Sequence, residues 1–77
     1  MSKLLCRGDV VTYVYPGNEK DHGSLAVVMR VVYGQYPYYV KFISATPTLL
    51  SEMTTPESGP WLPDVWEKIG HIDADKI

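Results

Sequence analysis

The chain has a single cysteine, Cys6, among its 77 residues. No internal disulfide can form, and a zinc site built on several thiolates at fixed spacings is excluded. The lack of disulfides suits a reducing compartment, so a cytoplasmic location is expected. No apolar run approaches the roughly 18 residues of a membrane span. The opening "MSKLL" is interrupted by Arg7 and Asp9 before a signal-peptide core can form. Charge is scarce in both senses, since seven Lys and Arg against nine Asp and Glu leave a formal net charge of -2. There is no basic stripe of the kind that marks nucleic-acid binding, and too little acid for a DNA mimic. Also missing are a long segment of 3.6-residue apolar period, an internal repeat, and the spacings of a nucleophile elbow, a phosphate loop or HExxH. The expectation is no enzyme, no catalytic residue and no cofactor.

What the chain does have is β-forming sequence cut by turn residues. Val10 to Tyr15 are all β-branched or aromatic, types that fit a pleated surface. Pro16-Gly17-Asn18 ends that run, and "NEKDHGS", Asn18 to Ser24, reads as an exposed polar loop. In "LAVVMRVVY", strand alternation sets Leu25, Val27, Met29, Val31 and Tyr33 on one face. Ala26, Val28, Arg30 and Val32 fall on the other, with Arg30 labelling it as wet. Gly34 to Pro37 make a hairpin connection into "YYVKFIS", where Tyr38, Val40 and Phe42 face one way and Tyr39, Lys41 and Ile43 the other. "EKIGHI" reads as the last strand, followed by a frayed end or a closing turn.

Between these lies a Pro/Ser/Thr-rich loop at about 45–60. So long a structureless loop is uncommon in a compact domain, and Leu49, Leu50 and Met53 are expected to give it a helical turn or a strand packed over the core. Residues 1–77 form one domain, mostly β with little or no helix. An SH3-like small barrel of about five strands is the economical architecture, because closure removes exposed strand edges. An OB-like barrel is the second choice.

Arg7-Gly8-Asp9 spells the tripeptide of integrin ligands, but it runs directly into the first strand. Glycine permits the φ of a turn, and Asp hydrogen-bonds nearby backbone N–H groups. A strand entrance explains the tripeptide without adhesion. Gly8, Asp9 and Val11 also match a Gly-Asp-hydrophobic-Val strand, and Glu67, Ile69, Gly70 and Ile72 match a later hydrophobic-Ile-Gly-polar-Ile run. In these two segments the chain resembles the C-terminal β-domain of YopX-type proteins, small β-rich proteins encoded by phages and prophages. The likeness covers the two ends and leaves out the middle, and His71 stands where that family usually shows another polar residue. It implies a phage accessory protein and brings no catalytic residues.

Aromatics are the main functional signal. A core this small holds few large rings, so Tyr13, Tyr38, Trp66 and Phe42 are assigned to it, by their alternation with Val and Ile. Tyr36, Trp61, Tyr15 and Tyr39 remain as a candidate binding surface, since Tyr and Trp offer rigid area with one polar atom. Such rings can line a peptide groove, cage a methylated ammonium or stack bases. Asp21, His22, His71, Asp73 and Asp75 include metal-ligand types, but they fall in loops or near the terminus, where polar residues are the default, and no metal site is expected. Cys6 is expected to be a small buried hydrophobe. The function read from these residues is a non-enzymatic protein-binding module for a host or phage protein. The alternatives are a single-stranded nucleic-acid-binding barrel, disfavoured by charge, and a homodimer or larger structural assembly that completes the small core.

Overall fold

The computed structural model describes residues 4–76. β1 (Asp9–Tyr13), β2 (Leu25–Val31), β3 (Tyr38–Ser44), β4 (Ser58–Trp61) and β5 (Trp66–His71) form one antiparallel sheet in the order β4-β3-β2-β1-β5. The first four strands make a meander, and the fifth returns to the free side of β1. This is the mostly β, five-stranded, SH3-like connectivity. Among the described residues, helix is confined to 3-10 segments at Glu19–Asp21, Pro47–Thr54, Pro63–Val65 and Ala74–Lys76.

β1 begins where expected. Gly8 has φ +97°, and the Asp9 N–H closes a turn onto the Cys6 carbonyl at 3.0 Å. The Asp9 carboxylate accepts the Cys6 N–H at 2.9 Å, while the Arg7 guanidinium donates to the Met29 carbonyl at 2.8 Å. Each part of the tripeptide is thus bonded into the start of the sheet. β3 keeps its expected alternation, with Tyr38, Val40 and Phe42 buried and Lys41 and Ile43 exposed.

β2 corrects the sequence reading. Ala26 and Val28 are fully buried, although Arg30 had labelled their face as the wet one. The register shows why: Val28 pairs with Val40, yet Arg30 pairs with Tyr39, so Met29 is an extra residue in the ladder. A bulge of this kind reverses the phase of alternation beyond it. Val28 therefore points inward and Arg30 outward despite their even spacing.

The stretch at 45–60 holds two elements. Pro47 opens a 3-10 helix, from which Leu49 and Met53 pack on the core while Leu50 is exposed. β4 follows, paired with β3 at Tyr38↔Trp61 and Val40↔Ser58. Its sequence, SGPW, contains residues that strands usually avoid. An edge position tolerates the proline, because one side of the strand makes no ladder bonds.

Val11, Ala26, Val28 and Val40 floor the core, and Trp66 sits among the rings. Tyr13, Phe42 and Trp61 surround it at centroid distances of 5.6, 5.6 and 5.5 Å, all edge-on. This is the geometry that aromatic quadrupoles favour.

Candidate functional site

Two loops at one end of the sheet define an apolar cleft. The β2–β3 connection is closed by the Val32 N–H on the Pro37 carbonyl at 2.8 Å. That short bond holds Tyr33, Gly34, Gln35 and Tyr36 out in solvent, with Gly34 at φ +132°. Opposite stands the 3-10 turn Pro63–Val65. Its Val65 is buried, and the Val14 N–H bonds the Val65 carbonyl at 2.8 Å, which ties the turn to the end of β1. Between the two loops is a cleft of about 420 Å³, walled by Leu4, Val31, Val32, Tyr33, Pro37 and Pro63 over Tyr38. The Tyr38 hydroxyl accepts the Leu5 N–H at 3.1 Å, so the floor is rigid and its polar atom is used. On the other flank of the same turn, Val14, Tyr15, Pro16 and Asp64 line a shallower depression.

The four aromatic candidates do not share one cleft. Tyr36 is exposed on the β2–β3 connection, beside the apolar cleft. Tyr15 lines the neighbouring depression. Trp61 is half-buried in the aromatic cluster, and its indole N–H donates to Ser58 Oγ at 3.2 Å. Tyr39 lies under the Arg30 guanidinium, 4.1 Å from the ring centre, and Arg30 is in turn paired with Glu57 at 3.1 Å. One face of that ring is already covered. None of the four candidates lines this cleft, and its walls at Leu4, Val31, Val32, Tyr33, Pro37 and Pro63 were left out of the site by sequence reasoning. A signal for two of them was present, because apolar residues resume after Arg30 and continue through Val32 and Tyr33, past the end of β2.

The polar candidates also separate. Asp21 is buried and receives Asn18 Nδ2 at 2.9 Å, Thr46 Oγ1 at 2.8 Å and the Thr48 hydroxyl. The Thr48 bond, with those from Thr46 and Asn18, outweighs burial and holds its carboxyl below the ordinary value. His22 instead has Nε2 2.9 Å from the Tyr15 carbonyl. Asp73 and Asp75 are exposed. The loop expected to be wholly exposed thus contains two buried polar residues, Asp21 and Ser24.

His71 meets Asp9, its cross-strand partner. Asp9 is 1% exposed, and its Oδ1 lies 2.8 Å from His71 Nδ1, 3.3 Å from Lys68 Nζ and 3.6 Å from Cys6 Sγ. Burial pushes the Asp9 carboxyl up, but the Cys6 N–H, His71 and Lys68 together hold it below the ordinary value. Cys6 is exposed, against the expectation of a buried thiol. It sits in the turn ahead of β1, where Leu5 rather than Cys6 turns into the core. The carboxylate stands at the centre of this group, with thiol and imidazole each directed at it. A nucleophilic triad requires the imidazole in the middle, so this order does not activate Cys6.

No protein-family model, no curated protein and no solved structure matches this chain. By its own geometry it is a small five-stranded β domain with an open apolar cleft beside a 3-10 turn.

Proposed function

We propose that this chain is a non-enzymatic binding module that takes an extended apolar segment of a partner protein into the cleft between the β2–β3 connection and the Pro63–Val65 turn. One observation carries the reading: Leu4 is 90% exposed and Tyr33 fully exposed at the rim of an apolar cleft. A contiguous apolar patch rimmed by loops is the usual mark of an interaction site. Tyr33 supplies an aromatic anchor of the kind that dominates interface energies, and Tyr36 is exposed on the same connection. The likeness of the Gly8-Asp9 and Glu67–Ile72 segments to YopX-type proteins supports a phage or prophage accessory role, with a host or phage protein as partner in the cytoplasm. Among the described residues, no helix is long and apolar enough to cross a membrane.

Charge placement weighs against nucleic acid as the ligand. Arg30 is engaged by Glu57 and Lys68 by Asp9, so two of the seven basic side chains are neutralised where they stand. The test is capture from bacterial lysate by a C-terminally tagged chain, with and without nuclease. The expected result is a specific protein retained in both samples and reduced at least tenfold by Tyr33→Ala. Capture that vanishes with nuclease overturns the reading in favour of nucleic acid. Capture that Tyr33→Ala leaves intact removes the cleft from it.

A further inference from the structure

Cys6, Asp9 and His71 bring one sulfur, one oxygen and one nitrogen ligand atom within 4.8 Å of one another. Two of the three come from a single tight turn. The Asp9 N–H on the Cys6 carbonyl closes residues 6–9 and turns both side chains to the same side. This Cys-x2-Asp arrangement does for a thiolate and a carboxylate what Cys-x2-Cys turns do for two thiolates in structural zinc sites. The third ligand arrives from the neighbouring strand, because His71 is in register with Asp9 across the β1–β5 ladder.

We propose that Cys6 Sγ, Asp9 Oδ1 and His71 Nδ1 form a binding site for a borderline divalent cation, zinc above all, at the junction of the N-terminal turn and β5. Two of the three ligand-atom separations can be set against the metal's demands. Tetrahedral zinc, with bonds of about 2.0 Å to oxygen and nitrogen and 2.3 Å to sulfur, sets its ligand atoms roughly 3.3–3.6 Å apart. Sγ and Oδ1 already lie at 3.6 Å, and Nδ1 and Oδ1 at 2.8 Å need a small opening. The charge balances as well, since one thiolate and one carboxylate neutralise a dication and the imidazole binds neutral. Binding displaces the thiol proton and any proton on Nδ1, and it moves Lys68 off Oδ1. The Lys68 side chain is 44% exposed and free to swing into water. With three protein ligands and two of them at the surface, the fourth position belongs to solvent or to a group from a partner. The mixed donor set selects zinc or cobalt(II) over magnesium and calcium, which take oxygen ligands.

The experiment titrates the purified full chain with zinc chloride by calorimetry, then with cobalt(II) by absorbance. One zinc per chain is expected, with affinity reduced at least tenfold in both Cys6→Ala and His71→Ala and unchanged in His22→Ala. Cobalt(II) should give a thiolate-to-metal charge-transfer band, a reading that needs no variant and does not depend on any variant folding. Zinc in hundredfold excess over its Kd should raise the melting temperature by about 10–20 °C, as expected for a ligand that binds only the folded form of a domain this size. Absence of binding, absence of the cobalt band, or binding that either variant leaves unchanged overturns the site.

Discussion

Asp21 shows how a charge stabilises a loop that composition reads as solvated. Its carboxylate takes Asn18 from the β1–β2 loop and Thr46 and Thr48 from the segment that opens the long 3-10 helix. It therefore pins two loops together. Those donors favour the ionised form, and the folded carboxyl titrates below its ordinary value of 3.8. The sign follows from linkage: the stabilisation is complete above that ordinary value and is lost as pH falls through the lower, folded one. Asp21→Asn is expected to melt below the wild type at pH 7, with the difference smaller at an acid pH below the ordinary value of 3.8. Melting curves at both pH values check this, and an equal difference at each would show that the charge contributes nothing. None of this was legible in the sequence. "NEKDHGS" looks like any polar loop, and the hydroxyls that capture Asp21 lie 25 and 27 residues further on.

β1 and its junction with β5 lie at the opposite extreme, where the sequence spoke clearly. The Gly8-Asp9 pair announced a turn into a strand, and the structure gives Gly8 a left-handed φ with its carbonyl bonded to the Ile72 N–H at 2.7 Å. A Cβ on Gly8 would overlap the Ile72 carbonyl. Gly8→Ala is therefore expected to cost about 2–3 kcal/mol, from backbone strain together with the clash. Arg7→Ala removes one exposed hydrogen bond and should cost less than about 1 kcal/mol. Urea denaturation of the two variants decides between the strand entrance and a recognition tripeptide, which would place the demand on Arg7 instead. β2 was legible only in part. Its composition identified a strand, but the bulge at Met29 reverses the alternation beyond it, and nothing in the sequence Val-Val-Met-Arg marks a bulge. β4 was missed for the converse reason. Its Gly and Pro read as loop, and only the edge position opened by β3 makes a strand of them.

At the scale of the whole molecule, the aromatics divide between stability and recognition. A 77-residue chain buries only about 60% of its unfolded surface, so the loss of one large ring is a large fraction of its stability. Trp61 was a binding candidate as a ring left over once the core was assigned, yet the structure puts it edge-on against Tyr13, Phe42 and Trp66. Tyr33 was read as the last residue of a strand face, yet it stands wholly in solvent at the cleft. Alternation could not separate these two cases, because it reports which face of a strand a residue takes and not what the chain beyond that strand folds over. Substitution separates them. Trp61→Ala is expected to lower stability by about 3 kcal/mol, the low end for a large ring, since Trp61 is only half-buried. Tyr33→Ala should leave stability within about 0.5 kcal/mol of the wild type while abolishing capture of the partner. Denaturation midpoints and capture measured on the same two preparations test this division. If Tyr33→Ala loses stability as well, the β2–β3 connection is part of the folded core's support. The exposed tyrosine would then no longer argue for a binding surface.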